Sequence, residues 1–113
     1  MAAAERRQFE RIEKVLEIRY WINHLQVSAR VSGISEDGLF IDTRNPLGPG
    51  TVLTLSFQLS DELSDTPILG TGKVIWTEPM MGMGVQFLDL SQEDCDRIRQ
   101  LIQDELATAQ RSP

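Results

Sequence analysis

A two-residue alternation of apolar and polar side chains constrains the fold of this chain more than any other feature. In VLEIRYWI, residues 15–22, Leu16, Ile18 and Tyr20 fall on one face of an extended backbone and Arg19 falls on the other. This period is typical of a half-buried β-strand. Similar apolar segments recur along the chain and predict six short strands, at residues 15–22, 26–31, 39–42, 51–59, 68–76 and 82–88.

Turn-forming residues separate these predicted strands. Asn23-His24 predicts a tight turn, and SGISEDG (32–38) predicts a break. NPLGPG (45–50) is a strong turn signal because proline fixes φ and glycine supplies positive φ. Short strands separated in this way indicate an all-β fold, either a small antiparallel barrel or a sandwich.

The pattern changes to helical spacing after the last predicted strand. The apolar positions that follow Ser91 recur every three or four residues, at Cys95, Ile98, Leu101, Ile102 and Leu106. Such spacing predicts an amphipathic helix, and Ser91 is suited to cap its N-terminus. We expect this helix over about 91–107 and expect it to cover an opening or an edge of the sheet.

The length of 113 residues suits one domain, which we place at residues 6–107 between a flexible N-terminus (1–5) and a flexible tail (108–113). The chain lacks an apolar run of about 18 residues, so no membrane insertion is expected. It begins without the apolar stretch of a secretory signal, and we therefore expect a cytoplasmic location.

The residues that usually carry catalysis or bind metals are sparse. His24 is the only histidine and falls at the predicted turn, whereas Cys95, the only cysteine, has the spacing of a core-facing helix position. Trp21 and Trp76 are interpreted as packing or edge residues, one of which could border a ligand. Because no acid/base pair, activated nucleophile or metal-ligand cluster is visible, we expect neither an enzyme nor a metal site.

The charge is acidic overall, with 17 acidic and 11 basic residues and a net charge of −6. Such a chain would repel nucleic-acid phosphates, so neither DNA nor RNA is an expected partner. Against this background ERRQFERIEK (5–14) concentrates Arg6, Arg7 and Arg11 in one short segment. The excess of acidic residues falls in the second half of the chain, so a small anionic ligand would bind in the first half.

The arginines alone leave two interpretations open. Phe9, Ile12 and Leu16 have helical spacing, so the segment could be a plain surface helix with solvated charges. In that helix Arg7 and Arg11 would be like charges four residues apart, which is mildly destabilising. The alternative is a binding segment whose arginines contact an anion.

The order and spacing of several motifs resemble the PilZ domain family. Arg7-Gln-Phe-Glu-Arg11 matches its R-x-x-x-R element, and Ser35-Glu-Asp-Gly38 resembles the second half of its D/N-x-S-x-x-G element. GLFIDTRNPLGPGTVLTLSF, GTGKVIW and GMGVQFLDLSQED resemble the later strands and the entry to the family's helix. The resemblance covers roughly residues 6–103. It implies an all-β fold with a C-terminal helix, namely a six-stranded antiparallel barrel.

Many PilZ domains are receptors for cyclic di-GMP, a bacterial second messenger, and the resemblance implies this ligand here. Arg7 and Arg11 would be the main ligand-binding residues, and Arg6 could add a contact. Ser35 would offer its hydroxyl, and Gly38 would allow a tight turn with close backbone approach. The implied function is a non-catalytic receptor or adaptor in motility or biofilm control, acting on an unidentified protein partner, with a homodimer possible.

One position departs from the family's pattern. Gly33 stands where the second motif begins with Asp or Asn, and glycine has no side chain to accept hydrogen bonds from a guanine. The loss would cost on the order of 1–3 kcal/mol. Two alternatives follow from this departure. One is a degenerate PilZ domain that no longer binds the dinucleotide and serves protein–protein contacts. The other is an unrelated small β-barrel with the arginines as surface charge.

Overall fold

The computed structural model describes residues 10–60 and 65–111. In chain order the elements are β1 (Arg11–Ile22), β2 (Leu25–Ser35), β3 (Gly38–Asp42), β4 (Val52–Phe57), β5 (Ile68–Glu78), β6 (Gly82–Asp89) and α1 (Gln92–Arg111). The strands form a closed barrel in the order β1-β2-β3-β6-β5-β4. Every neighbouring pair is antiparallel, and β4 closes the barrel against β1 through Ile18–Trp21. The predicted barrel with a C-terminal helix is confirmed.

The predicted elements are all present, but several of them extend further than the sequence pattern indicated. β1 begins at Arg11 rather than at residue 15, because Ile12 is also buried and the strand continues past a bulge between Glu13 and Leu16. α1 runs to Arg111 rather than ending at 107. Flexibility at residues 1–5 and in the rest of the tail stays a prediction.

The break predicted at 32–38 is mostly strand. Val31 and Ile34 are both fully buried although they lie three residues apart, which a strict alternation does not allow. The register between β2 and β3 shifts between Val31 and Gly33, and this bulge absorbs the extra residue. Only Glu36 and Asp37 remain between the strands, so the second motif spans the end of β2, this turn and the first residue of β3.

The barrel interior is filled by the inward face of every strand. Its fully or nearly fully buried side chains include Ile18, Val31, Ile34, Ile41, Leu53, Leu55, Phe57, Ile68, Val74, Met83 and Val85. Burial of each large side chain contributes roughly 1.5–3 kcal/mol. The core leaves the outer wall of the barrel free for other functions.

The helix α1 covers the barrel end at which β1 begins and β2 ends. Ile98 and Ile102 are buried with the barrel core. Ser91 caps the helix, because its Oγ accepts a hydrogen bond of 3.1 Å from the backbone N–H of Asp94. An ion pair of 2.9 Å joins Lys14 of β1 to Glu105 of α1. No helix in the described part of the chain is long and apolar enough to cross a membrane.

Candidate functional site

Arg11, the last residue of the first predicted motif, meets the second motif on the outer wall of the barrel, at the end that α1 covers. Arg11 is the first residue of β1 and is exposed, and its partner in the ladder is Ser35 at the end of β2. Glu13 lies opposite Gly33 in the same ladder. Arg11 therefore lies within the first strand rather than before it, as the sequence pattern had indicated. Arg6 and Arg7 lie outside the described residues.

The side chain of Arg11 lies against Gly33. A Cβ atom added at Gly33 would lie 3.4 Å from the Cδ of Arg11 and 3.6 Å from the carbonyl oxygen of Ile12, which are ordinary contact distances. Gly33 also lacks a positive φ. The fold therefore does not require glycine at this position, and a side chain placed there would touch Arg11.

Ser35 is buried and organises the turn between β2 and β3. Its hydroxyl donates to the carboxylate of Asp37, and its Oγ lies 3.4 Å from the backbone N–H of Asp37, which donates in return. The backbone carbonyl of Asp37 accepts a hydrogen bond of 2.9 Å from the N–H of Phe87 in β6. These contacts stabilise the turn, and the exposed Asp37 lies at its surface.

Glycine is required at position 38 because the neighbouring strand leaves no space for a side chain. Its backbone does not adopt a positive φ. A Cβ atom at this position would lie 2.3 Å from the carbonyl oxygen of Val85 and 3.3 Å from the Cα of Gln86, its partner in β6. The sequence predicted a close backbone approach at Gly38. In the structure the approaching backbone is that of β6.

The same turn is tied to α1 by an ion pair. The guanidinium Nε of Arg99 lies 3.1 Å from Oε1 of Glu36, and Nη1 lies 3.0 Å from Oδ1 of Asp96. The hydrogen bond and the charge of Glu36, with a smaller contribution from Asp96, raise the pKa of Arg99. A change in the conformation of the turn would therefore alter a contact of α1.

An aromatic pair lies on the same wall, and the sequence pattern had indicated only that one of the two tryptophans, Trp21 or Trp76, could border a ligand. Gly33 pairs with Phe40 in β3, Phe40 pairs with Gly84 in β6, and Gly84 pairs with Trp76 in β5. We call these four residues the aromatic row. The ring centroids of Phe40 and Trp76 are 5.2 Å apart with an interplanar angle of 32°.

Glycines in β6 make room for these two rings. A Cβ at Gly84 would lie 2.2 Å from Nε1 of Trp76, and one at Gly82 would lie 2.6 Å from Cε2 of Phe40. Both rings therefore lie directly over the β6 backbone. The alternating glycines of GMG (82–84) were the sequence signal for this arrangement, but only strand pairing shows which side chains occupy the space.

A separate groove of about 870 Å³ crosses the outer wall at β1, β2 and β4, with Arg19 and Arg30 among its lining residues. Glu17 lines the same groove and lies directly opposite Arg30 in the ladder. None of the site residues predicted from the sequence lines it. The described residues contain no group of three or more His, Cys, Asp or Glu side chains that could hold a metal ion.

The sequence model of the PilZ domain matches residues 5–104, and the chain therefore belongs to the PilZ domain family. No match was found among the curated proteins. The family assignment agrees with the closed six-stranded barrel and its C-terminal helix.

Solved structures share this fold. The inhibitor of motility MotI/DgrA of Bacillus subtilis matches with a TM-score of 0.76 and 20% identity over 90% of this chain and 52% of its own. YcgR of Escherichia coli in complex with c-di-GMP matches with a TM-score of 0.78 and 13% identity over 93% of this chain and 48% of its own. The PilZ domain of YcgR with c-di-GMP matches with a TM-score of 0.71 and 14% identity, over 95% of this chain and 99% of that domain. The chain thus spans about half the length of MotI/DgrA and of YcgR.

Proposed function

We propose that this chain is a non-catalytic receptor or adaptor for cyclic di-GMP in bacterial second-messenger signalling, acting in the control of motility or biofilm formation. The observation that carries the proposal is that Arg11, the last residue of the first motif, lies with its side chain against Gly33 and opposite Ser35. Membership of the PilZ family supports it. So does the similarity to YcgR, whose structures contain c-di-GMP.

The chemistry of the arginines suits this ligand. A guanidinium group pairs bidentately with a phosphate or with O6 and N7 of guanine, and its plane stacks on a base. Arg11 would supply one such group from β1, and Arg7 and Arg6 would supply others from the preceding segment. The Ser35 hydroxyl would release its hydrogen bond to Asp37 and donate to the ligand instead. Gly38 would allow the turn to stay close to β6.

The output of binding would pass through the turn between β2 and β3. Glu36 of this turn is paired with Arg99 of α1, and the carbonyl of Asp37 is bonded to β6. A ligand that moves the turn would change the surface that α1 presents to a protein partner. We propose a protein rather than a nucleic acid as this partner, since the net charge of −6 disfavours nucleic acids. A cytoplasmic location and a homodimer stay predictions.

The proposal is tested by isothermal titration calorimetry of the full chain with cyclic di-GMP at physiological salt. We expect binding in the micromolar range or tighter, a loss of at least about tenfold in Arg11→Ala, and no detectable binding in the Arg7→Ala/Arg11→Ala double variant. Arg44→Ala is the matched control, because Arg44 is an exposed arginine in the loop between β3 and β4. Unchanged affinity in the double variant would exclude the proposed site.

A second candidate function is a protein-interaction module that has lost the ligand. It is favoured by Gly33, which lacks the acceptor of the family's motif, and by the Ser35 hydroxyl, which is already bonded within the turn. This candidate predicts no heat with cyclic di-GMP up to about millimolar concentration. It also predicts that a protein partner is captured equally with and without the dinucleotide.

A further inference from the structure

Two arginines on the outer wall of the barrel serve neither the fold nor the proposed ligand site. Arg19 of β1 and Arg30 of β2 are exposed, and neither forms an ion pair with any residue that the structure describes. By contrast, Lys14, Arg97 and Arg99 are all paired with carboxylates. In a chain with a net charge of −6, these two cations are free to bind an anionic partner.

Both arginines line the groove across β2, β1 and β4, in which small side chains flank Arg19. Arg19 lies directly opposite Ser28 of β2 and Ser56 of β4, and both serines line the groove. Ser56 is only 5% exposed and forms part of the groove floor. The groove crosses these three strands over roughly 10 Å and continues to Gln58 and Pro67, which is longer than a single small anion requires.

The spacing of the two arginines matches alternate residues of an extended peptide. Arg30 lies opposite Glu17, two residues before Arg19 in β1, so the arginines are diagonal neighbours across the strand pair. Diagonal neighbours lie roughly 7–8 Å apart. In an extended peptide, side chains that share a face are two residues, or about 6.7 Å, apart. Carboxylates at positions i and i+2 of such a peptide can therefore reach both arginines, and a guanidinium group binds a carboxylate bidentately.

We propose that this groove binds an extended acidic segment of a protein partner, in which two acidic residues are separated by one residue. The inference goes beyond the proposed function, because none of the residues that line the groove belongs to the proposed ligand site. Glu17 is the only acidic residue among the described residues that line it, so the two arginines leave the groove positive. Val15, which is 67% exposed, offers the segment an apolar contact.

The spacing is tested by fluorescence anisotropy of the full chain with labelled ten-residue peptides at one ionic strength. One peptide carries a single Glu-x-Glu in a neutral background of serine and valine. Its matched controls have the same composition, with the two glutamates either adjacent or separated by three residues. We expect the Glu-x-Glu peptide to bind at least about fivefold more tightly than either control, because each control can place only one carboxylate on an arginine.

Substitutions test the charge and the shape of the groove separately. Arg19→Ala and Arg30→Ala should each lower the affinity for the Glu-x-Glu peptide by about fivefold, whereas Arg44→Ala, at an exposed position outside the groove, should not. Glu17→Gln should raise the affinity by about two- to fivefold, because it removes a like charge. Ser28→Tyr fills the groove without changing its charge and should lower the affinity at least about fivefold. Circular dichroism with thermal unfolding identifies any variant that has lost its fold.

Several results would overturn the inference. Equal affinity for the three peptides, or no binding up to about millimolar peptide, would show that the groove does not recognise the spacing of the carboxylates. Unchanged affinity in a folded Ser28→Tyr variant would show that the peptide does not enter the groove. Tighter binding of an eight-nucleotide oligothymidylate would assign the groove to nucleic acid. A dimer in sedimentation velocity that the peptide dissociates would assign it to a second copy of the chain.

Titration with cyclic di-GMP distinguishes this inference from the proposed function. The Arg19→Ala/Arg30→Ala double variant should bind cyclic di-GMP with the wild-type affinity, because the groove and the ligand site share no residue. A loss of cyclic di-GMP binding in this folded variant would show that the groove is part of the ligand site and would overturn the inference. A failure of the peptide experiment alone would leave the proposed function in place.

Discussion

Gly33 and Gly38 flank the same turn but occupy different surroundings. A Cβ at Gly33 would make ordinary contacts with Arg11, whereas a Cβ at Gly38 would lie 2.3 Å from the carbonyl oxygen of Val85. Gly38 is therefore a requirement of the barrel, and Gly33 is open to substitution. Changes at the two positions should affect different properties of the protein.

Gly38→Ala should destabilise the fold whether or not a ligand is present. The added methyl group would push β3 away from β6, and overpacking of this kind costs roughly 1–3 kcal/mol. Urea unfolding of the full chain measures the loss. Gly48→Ala is the control, since nothing lies within 4 Å of its Cβ position, and it should change the stability by less than about 0.5 kcal/mol. Equal stability of the two variants would contradict the steric argument.

Gly33→Asp should strengthen the binding of cyclic di-GMP while leaving the fold intact. The new carboxylate would lie beside Arg11 and could accept hydrogen bonds from a guanine, which is expected to raise affinity by roughly 5- to 150-fold. Calorimetry gives the affinity, and circular dichroism checks the fold. A folded Gly33→Asp variant with no gain in affinity would show that the missing acceptor does not limit this site.

Tyr20, the only tyrosine, should make the protein less stable at alkaline pH. Burial raises its pKa above the ordinary value of 10.0, while a side-chain hydrogen bond with Thr43 acts weakly in the opposite direction. As the pH rises through about 10, Tyr20 ionises in the unfolded state before it ionises in the folded state. This ionisation lowers the free energy of the unfolded state, so the free energy of unfolding falls until the pH reaches the pKa of the folded protein. Below that range Tyr20 contributes no pH dependence.

The comparison of wild-type with Tyr20→Phe isolates this effect. Unfolding free energies measured at pH 8 to 11 should decline less steeply in Tyr20→Phe, since its ring cannot ionise. Ultraviolet absorbance of the tyrosinate follows Tyr20 directly in the folded wild-type chain. Parallel stability profiles for the two proteins would show that another group causes the alkaline loss.

At the scale of elements, α1 is attached to the barrel by two arginines in different settings. Arg97 donates to the carboxylates of Asp65 and Asp94 and, at 2.7 Å, to the backbone carbonyl of Thr66. Arg99 pairs with Glu36 and Asp96 and is more exposed, with 46% of its side chain accessible against 26% for Arg97. Arg97 therefore has the larger structural role, and Arg99 connects the helix to the ligand-site turn.

Arg97→Ala should cost roughly 1–3 kcal/mol of stability, because it leaves Asp65 and the carbonyl of Thr66 without their charged donor. Arg99→Ala should cost less, because exposed ion pairs contribute little. Thermal unfolding of both variants at the same pH and salt concentration compares the two losses. A larger loss in Arg99→Ala would mean that the turn, rather than the loop before β5, holds the helix.

At the scale of the whole molecule, an acidic chain must concentrate its cations to hold an anionic ligand. The affinity for cyclic di-GMP should therefore fall as salt is added, because screening shortens the Debye length from about 30 Å at 0.01 M to about 8 Å at 0.15 M. Calorimetry over this range should show a loss of several-fold with either chloride or acetate as the anion. An affinity independent of salt would mean that the charges of the arginines do not dominate binding.

The fold could be predicted from the sequence to a large extent because most strands keep one buried face. Leu16, Ile18 and Tyr20 are buried as their alternation indicated, and Ile98 and Ile102 lie on the inner face of α1. The prediction was less accurate where a bulge breaks the period, as between Val31 and Gly33. A local pattern cannot distinguish such a bulge from the end of a strand.

The candidate site was predicted only in part. Arg11, Gly33 and Ser35 were identified by motif, and strand pairing brings them together. Trp76 was considered only as one of two tryptophans that could border a ligand, and Phe40 was not considered, because the two rings come from strands that are distant in sequence and meet only across β6.

The sequence by itself determined where the strands and the helix lie and which residues carry the two motifs, because these features depend on neighbours along the chain. The tertiary structure alone decided the strand order and the closure of β4 against β1. It also decided that Gly38 allows β6 to approach closely and that the rings of Phe40 and Trp76 pack together on the outer wall. These features depend on which strands pair across long separations, and that choice is made by the packing of the whole barrel.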